Sequence, residues 1–146
     1  MGIYNKRSVL FLCSGNSCRS QIAEALTNAY FSEDWQAFSA GTQPVGFIHP
    51  TALKVLEEIG ISHQGRSKSL QEVLDLPYDL VVTVCDAADR DCPTWLGQGK
   101  RVHHSFKDPA SIEGTPAEIH RAFQNTRDDI LAQLPRILGN VRDQEE

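Results

Sequence analysis

Ser8-Val9-Leu10-Phe11-Leu12-Cys13-Ser14-Gly15-Asn16-Ser17-Cys18-Arg19-Ser20 is the stretch that decides the fold. Its first five residues form a short, β-rich apolar run that reads as a buried strand. The residues from Cys13 to Ser20 are mostly small and polar and contain no proline. Ile22, Ala25, Leu26, Ala29 and Tyr30 follow at i, i+3, i+4, i+7 and i+8, which is one face of a helix. The order is therefore strand, tight loop, helix.

The same alternation continues downstream. Residues 35–39 read as a second strand stopped by Gly41. Pro50 is placed to open a helix whose inner face carries Ala52, Leu53, Leu56 and Ile59, with Gly60 to end it. Residues 67–74 read as a short helix. Tyr78-Asp79-Leu80-Val81-Val82-Thr83-Val84 is a second run fit for a fully buried strand, and it leads straight into Cys85. Residues 100–105 supply a fourth strand. Thr115-Pro116-Ala117-Glu118 is a capping box with proline at the first helical position. Behind it Ile119, Phe123, Ile130, Leu134 and Ile137 predict a long helix, kinked or interrupted at Pro135. Strands alternating with helices predict an α/β fold: a single domain over residues 1–141, with a four-stranded parallel sheet flanked by helices. Residues 142–146 read as a disordered acidic tail.

Composition narrows the function classes. The chain has 146 residues, with 14 basic against 19 acidic side chains and a net charge of −5. That balance argues against a broad nucleic-acid or anionic-membrane surface, which needs a net basic face. No apolar run approaches the ~20 residues of a membrane span. The apolar stretch near the N-terminus is too short for a secretory segment, so a cytoplasmic protein is the expectation. In a reducing compartment the four cysteines, Cys13, Cys18, Cys85 and Cys92, stand for metal ligation, catalysis or inert burial rather than a disulfide framework. No C-x2-C pair is present, which disfavours zinc, and His49, His63 and His120 are too dispersed for a ligand set. No bound cofactor is expected.

The loop from Cys13 to Arg19 is C-x5-R, and its physical reading is an oxyanion cradle. Backbone N–H groups of Ser14, Gly15, Asn16, Ser17, Cys18 and Arg19 can converge on one point at a helix N-terminus, where the dipole favours negative charge. Arg19 can grip two oxygens of a tetrahedral anion with its planar fork. The same field favours a Cys13 thiolate beneath the anion. Ser20 is placed to donate to that thiolate, and Gly15 to permit a turn that a Cβ would resist. Asn16 is placed to hold the loop's shape through its side chain. The competing account is a buried structural cysteine beside a surface arginine.

With these residues in view, Cys13-Ser14-Gly15-Asn16-Ser17-Cys18-Arg19-Ser20-Gln21-Ile22-Ala23-Glu24 resembles the active-site loop of the low-molecular-weight protein tyrosine phosphatase family, and most closely its thioredoxin-coupled arsenate reductase branch. The likeness extends through Ser39-Ala40-Gly41, His49-Pro50, the Cys85 to Cys92 segment, Phe106-Lys107-Asp108-Pro109-Ala110 and residues 123–130, about nine-tenths of the chain. It implies a phosphatase-like fold with a four-stranded parallel sheet. It also implies arsenate as substrate, Cys13 as nucleophile, Asp108 as general acid, Cys85 and then Cys92 as resolving thiols, and reduced thioredoxin as electron donor. Strand C-terminal ends share one edge of a parallel sheet, which puts Cys85 on the same rim as Cys13. On a regular helix positions 85 and 92 would be ~10.5 Å apart, too far for a disulfide, so residues 86–91 must be looped or unwind on oxidation. The competing account of Cys85 is a core cysteine, and of Cys92 an idle surface thiol. Cys18 is expected to pack inward, with an off-pathway bond to Cys13 as the alternative.

Two departures from the family pattern matter. Asp108-Pro109 is followed by Ala110 and Ser111 where phosphatases of the family commonly carry tandem tyrosines, which speaks against a phosphotyrosine substrate. Relatives in the reductase branch bind potassium behind the loop through residues matching Asn16, Glu24 and Ser39 plus an acidic residue. Here Lys68 stands at that last place, either as an ammonium substituting for the cation or as a solvated lysine. Residues 111–117 are longer than usual. The alternatives to thioredoxin-coupled arsenate reduction are phosphoester hydrolysis, a glutathione and glutaredoxin-coupled reductase, and a non-catalytic oxyanion or redox sensor.

Overall fold

A computed structural model describes residues 6–86, 88 and 99–145, with side chains as far as residue 139. Cys92 and Trp95 lie outside the described residues. The four strands are β1 (Arg7–Cys13), β2 (Trp35–Gly41), β3 (Leu80–Thr83) and β4 (Lys100–His103). They form one sheet in the order β2-β1-β3-β4 with every pairing parallel. The apolar run of β1 is explained by its place: it pairs with β2 on one side and β3 on the other, and Val9, Leu10, Phe11 and Leu12 are fully buried.

Helices α1 (Arg19–Tyr30), α2 (Pro50–Glu57) and α3 (Pro116–Glu145) flank the sheet, and Asp86 and Ala88 are helical as well. α1 lies on β1 and β2 and is packed in turn by α2 and α3. Ile22 and Leu26 of α1, Val55 and Leu56 of α2, and Phe123, Ile130, Leu134 and Ile137 of α3 bury their side chains in this common core. Each such side chain contributes about 1.5–3 kcal/mol by its removal from water. Pro50 occupies the first turn of α2, and Gly60 just beyond the helix takes a left-handed φ of 85°. The Thr115–Glu118 capping box closes in both directions: the Thr115 amide donates to Glu118 Oε1 at 2.9 Å, and the Glu118 amide donates to Thr115 Oγ1 at 3.1 Å.

Three sequence expectations are revised. The helix expected over residues 67–74 is a single 3₁₀ turn, Leu70–Glu72, capped by Ser69. The residues before it are drawn out alongside the sheet: the Gly41 amide donates to the Lys68 carbonyl at 2.9 Å, and Gly41 bridges Ser69 in parallel. Residues held in such a ladder cannot also turn. α3 is continuous, with Pro135 inside it rather than at a break. It also runs to Glu145, through positions read as a disordered tail. The apolar stripe ends earlier than the helix because each added residue continues the backbone hydrogen-bond ladder without needing a buried face. No described helix is long and apolar enough to cross a membrane.

Candidate active site

Cys13 is the last residue of β1 and Arg19 the first of α1, so the loop between them is pinned at both ends by the core. A third restraint comes from β2. The Thr42 amide donates to the Cys13 carbonyl at 3.2 Å, and the Gln43 amide to the Ser14 carbonyl at 2.8 Å. At Gly41 the approach is so close that a Cβ would stand 2.5 Å from the Ser14 carbonyl oxygen, which explains glycine there. The left-handed residue within the loop is Asn16, with φ of 50°, rather than Gly15. A Cβ on Gly15 would make only a 3.4 Å contact with Val45, so the steric role expected of Gly15 does not hold.

Asn16 pays for its unusual backbone with side-chain bonds that organise everything around it. Its Oδ1 accepts from the Lys68 amide at 3.0 Å and from Gln21 Nε2 at 3.0 Å. Both partners are donors, so the amide orientation is fixed and Nδ2 must face Ser20, where it donates to Oγ at 2.8 Å. That leaves the Ser20 hydroxyl hydrogen for Cys13 Sγ, 2.9 Å away. The Asn16 amide donates to the same sulfur at 3.3 Å. Two donors therefore converge on the Cys13 sulfur. Asn16 is fully buried, so it supports the loop from behind rather than lining the seat.

In front of the loop lies a pocket of about 240 Å³ walled by Cys13, Ser14, Gly15, Ser17, Cys18 and Arg19, and closed by Val45, Phe47, His49, Asp108 and Ala110. Arg19 Nη1 donates to the Phe106 carbonyl at 3.0 Å and Nη2 stands 3.7 Å from Asp108 Oδ2. The guanidinium is thereby aimed before any anion arrives. Asp108 is held by its other oxygen, which accepts from the Ala110 amide at 2.9 Å and caps the 3₁₀ turn Pro109–Ser111. Its side chain remains 40% exposed, so it is within reach of a group in the pocket and of solvent. Residues 111–117 run from the end of this turn through a half-buried Ile112 to the Thr115 cap of α3. Burial, with the neighbouring Asp108 and Cys13 charges, pushes the Cys18 thiol up to about 12, so Cys18 is the poor nucleophile of the loop.

Cys85 follows β3, the strand that pairs with β1 on the side away from β2. The Val84 amide donates to the Leu12 carbonyl at 2.8 Å, which puts the ends of the two strands on one edge. Cys85 is 2% exposed, and its Sγ accepts from the Ala88 amide at 3.4 Å. Cys13, Cys18 and Cys85 are all free thiols. The described residues thus bring together Cys13, Arg19, Ser20 and Asp108, and set Cys85 on the same sheet edge.

Behind the loop, Glu24 Oε1 accepts from the Ser39 hydroxyl at 2.7 Å and stands 4.0 Å from Lys68 Nζ. Lys68 Nζ also donates to the Arg66 carbonyl at 3.2 Å. Burial holds the Lys68 ammonium below its ordinary lysine range, partly offset by Glu24. With an ammonium at this place the residues do not fit a bound potassium ion. No cluster of His, Cys, Asp and Glu fit for a metal occurs among the described residues. Sequence reading missed two members of this layer. Gln21 Oε1 accepts from His63 Nε2 at 2.8 Å, while Gln21 Nε2 donates to the Asn16 and Arg66 carbonyls. Burial lowers the His63 pKa, opposed by Glu24 and reinforced by Lys68. Val45 and Phe47, 53% and 58% exposed, were missed as well, since isolated apolar residues in a loop carry no periodic signal.

A larger cavity, of about 500 Å³, lies beside Lys107, Pro109, Ile112 and α3. No cysteine lines it, and its charged walls are solvent-exposed, so size does not make it the site.

The family model described as low molecular weight phosphotyrosine protein phosphatase matches residues 8–145. The protein named arsenate reductase in Shouchella clausii (strain KSM-K16) is 42% identical over 135 residues, covering 90% of this chain and 95% of that one. The arsenate reductase of Bacillus subtilis (strain 168) is 42% identical over 125 residues, covering 84% and 88%. Among solved structures, a low molecular weight protein tyrosine phosphatase from T. tengcongensis superposes with a TM-score of 0.73 at 25% identity, covering 92% of this chain and 99% of that one.

Proposed function

This chain belongs to the low molecular weight phosphotyrosine protein phosphatase family, a family of enzymes, and on that premise we propose that it reduces arsenate to arsenite. The observation that carries the proposal is the pair of buried thiols at one sheet edge: Cys13 under an anion seat, and Cys85 just beyond the adjacent strand. A hydrolase of this design needs only the first.

The chemistry begins with arsenate held by the loop amides and the Arg19 fork. The Cys13 thiolate attacks arsenic, and an oxygen departs as water after accepting a proton from Asp108. The Cys85 thiolate then attacks Cys13 Sγ. A sulfur–sulfur bond forms, the arsenic–sulfur bond breaks, and its electron pair stays on arsenic, which leaves as arsenite. Cys92 next attacks Cys85, forming a Cys85–Cys92 disulfide and releasing the Cys13 thiolate. A thioredoxin dithiol reduces that bond and takes the oxidising equivalent away. The same attack on phosphate would stop at a thiophosphate, because a thiol cannot reduce phosphorus(V), and only water could release it.

Lys68 belongs to this reading as a resident cation opposite Glu24. Turnover independent of potassium is the expected result, and a potassium requirement would refute the substitution. A second reading, hydrolysis of phosphoesters, draws support from the exposed Val45 and Phe47 at the pocket mouth, which suit an aryl leaving group better than an inorganic anion. A coupled assay separates the two. Arsenate-dependent NADPH oxidation with thioredoxin and thioredoxin reductase, abolished in Cys13→Ser, Cys85→Ser and Cys92→Ser, supports the reductase. Full aryl phosphatase turnover without any arsenate-dependent oxidation would establish the hydrolase instead.

A further inference from the structure

His103 ends β4 and is the ladder partner of Thr83, the last residue of β3. Its imidazole reaches past that partner to Asp86, the residue after Cys85. Nε2 meets Asp86 Oδ1 at 3.0 Å, and Nδ1 lies 2.7 Å from Thr83 Oγ1 and 3.1 Å from the Thr83 carbonyl oxygen. A carboxylate only accepts, so the Asp86 contact is one that Nε2 donates, while Nδ1 faces the Thr83 hydroxyl, which can donate or accept. One side chain therefore grips the chain two residues before Cys85 and one residue after it. The Thr83 end of the grip is fully buried, whereas the Asp86 side chain is 69% exposed. Between them Cys85 is buried with its sulfur on the Ala88 amide.

We propose that His103 is a positioning residue for Cys85: by clamping Thr83 and Asp86 it holds the thiol in its buried seat and aims it in the reduced enzyme. The proposal rests on the reading of Cys85 as the thiol that resolves the Cys13 adduct. No ring of this kind is needed to keep β4 in the sheet, because backbone bonds already do that: the His104 amide donates to the Thr83 carbonyl at 2.9 Å and the Phe106 amide to the Val84 carbonyl at 3.0 Å. Those bonds lie before Cys85 in the chain, and Asp86 is a residue that the imidazole meets after it. A thiol that must meet another sulfur in line gains from being aimed, since loose placement costs rate.

The test is time-resolved alkylation of the full-length enzyme with iodoacetamide, each cysteine read separately by peptide mass. His103→Ala and Asp86→Ala are each expected to speed Cys85 modification about three-fold, the low end of what one hydrogen bond contributes. The double variant should be no faster than either single one, and Cys13 and Cys18 should be unaffected. In arsenate turnover both variants should lower kcat by a similar factor with KM unchanged, because His103 does not touch the anion pocket. Should His103→Ala disturb β4, Asp86→Ala at the exposed end of the contact provides the same readout. Unaltered Cys85 alkylation in both, or effects that add in the double variant, would overturn the clamp. Full arsenate turnover in Cys85→Ser would instead overturn the resolving role while leaving the alkylation result standing.

Discussion

Replacing Ser20 by alanine removes one oxygen from the most constrained part of the site. The hydroxyl is fully buried, gives its hydrogen to Cys13 Sγ at 2.9 Å and accepts from Asn16 Nδ2 at 2.8 Å. Two separate losses follow. A hydrogen bond to an ionised acceptor is worth about 1.5–3 kcal/mol, and its loss falls on the thiolate rather than the thiol. At 1.4 kcal/mol per factor of ten, Cys13 alkylation at neutral pH should slow by about ten-fold or more. The second loss is the buried Asn16 amide left without an acceptor, about 1–3 kcal/mol of stability, or a Tm lower by a few degrees in a chain of this size. The assay is iodoacetamide trapping of Cys13 beside a thermal melt, so that the chemical effect is read on folded protein. Arsenate turnover should fall with the alkylation rate. An unchanged Cys13 reactivity in a destabilised Ser20→Ala protein would refute the argued direction of the Asn16–Ser20–Cys13 chain.

Other outcomes follow from the same geometry. Arg19→Lys keeps the charge but loses the fork and the bond to the Phe106 carbonyl, and should raise KM for arsenate about ten-fold or more in steady-state kinetics. Asp108→Asn keeps an acceptor for the Ala110 amide, so the turn should survive, while loss of the acid should lower kcat by about 10²-fold or more. His63 resists protonation in the fold because burial lowers its pKa, so the unfolded chain binds more protons between that lowered value and the ordinary histidine range. Stability must then rise with pH through that window and be lost on acidification. Urea titrations at pH 7.5 and 5.5 should show a smaller loss for His63→Gln than for the unaltered chain, and an equal loss would contradict the burial argument.

How far the sequence speaks depends on whether a feature is local. The strand, loop and helix around Cys13 are legible because burial on both faces of β1 demands an uninterrupted apolar run, and because C-x5-R brackets a loop of fixed length. The capping box at Thr115 is equally local and forms as its spacing implies. Residues 67–69 are not legible, since what draws them out is a ladder with Gly41 and a bond to Asn16, both remote in the chain. The roles of Gln21 and His63 are hidden for the same reason: their meaning lies in a hydrogen-bond chain linking positions 16, 21 and 63. The continuity of α3 through Pro135 and past the apolar stripe shows the opposite failing, a local rule overridden by a helix already anchored by Phe123, Ile130 and Leu134.

Disulfide mapping after a single exposure to arsenate, with no external reductant, tests the central claim most directly. The intact protein is expected to yield a Cys85–Cys92 peptide pair and one equivalent of arsenite, and Cys92→Ser a trapped Cys13–Cys85 pair. Arsenite release with all thiols still reduced, or a bond joining Cys13 to Cys18 in place of these pairs, would contradict the account.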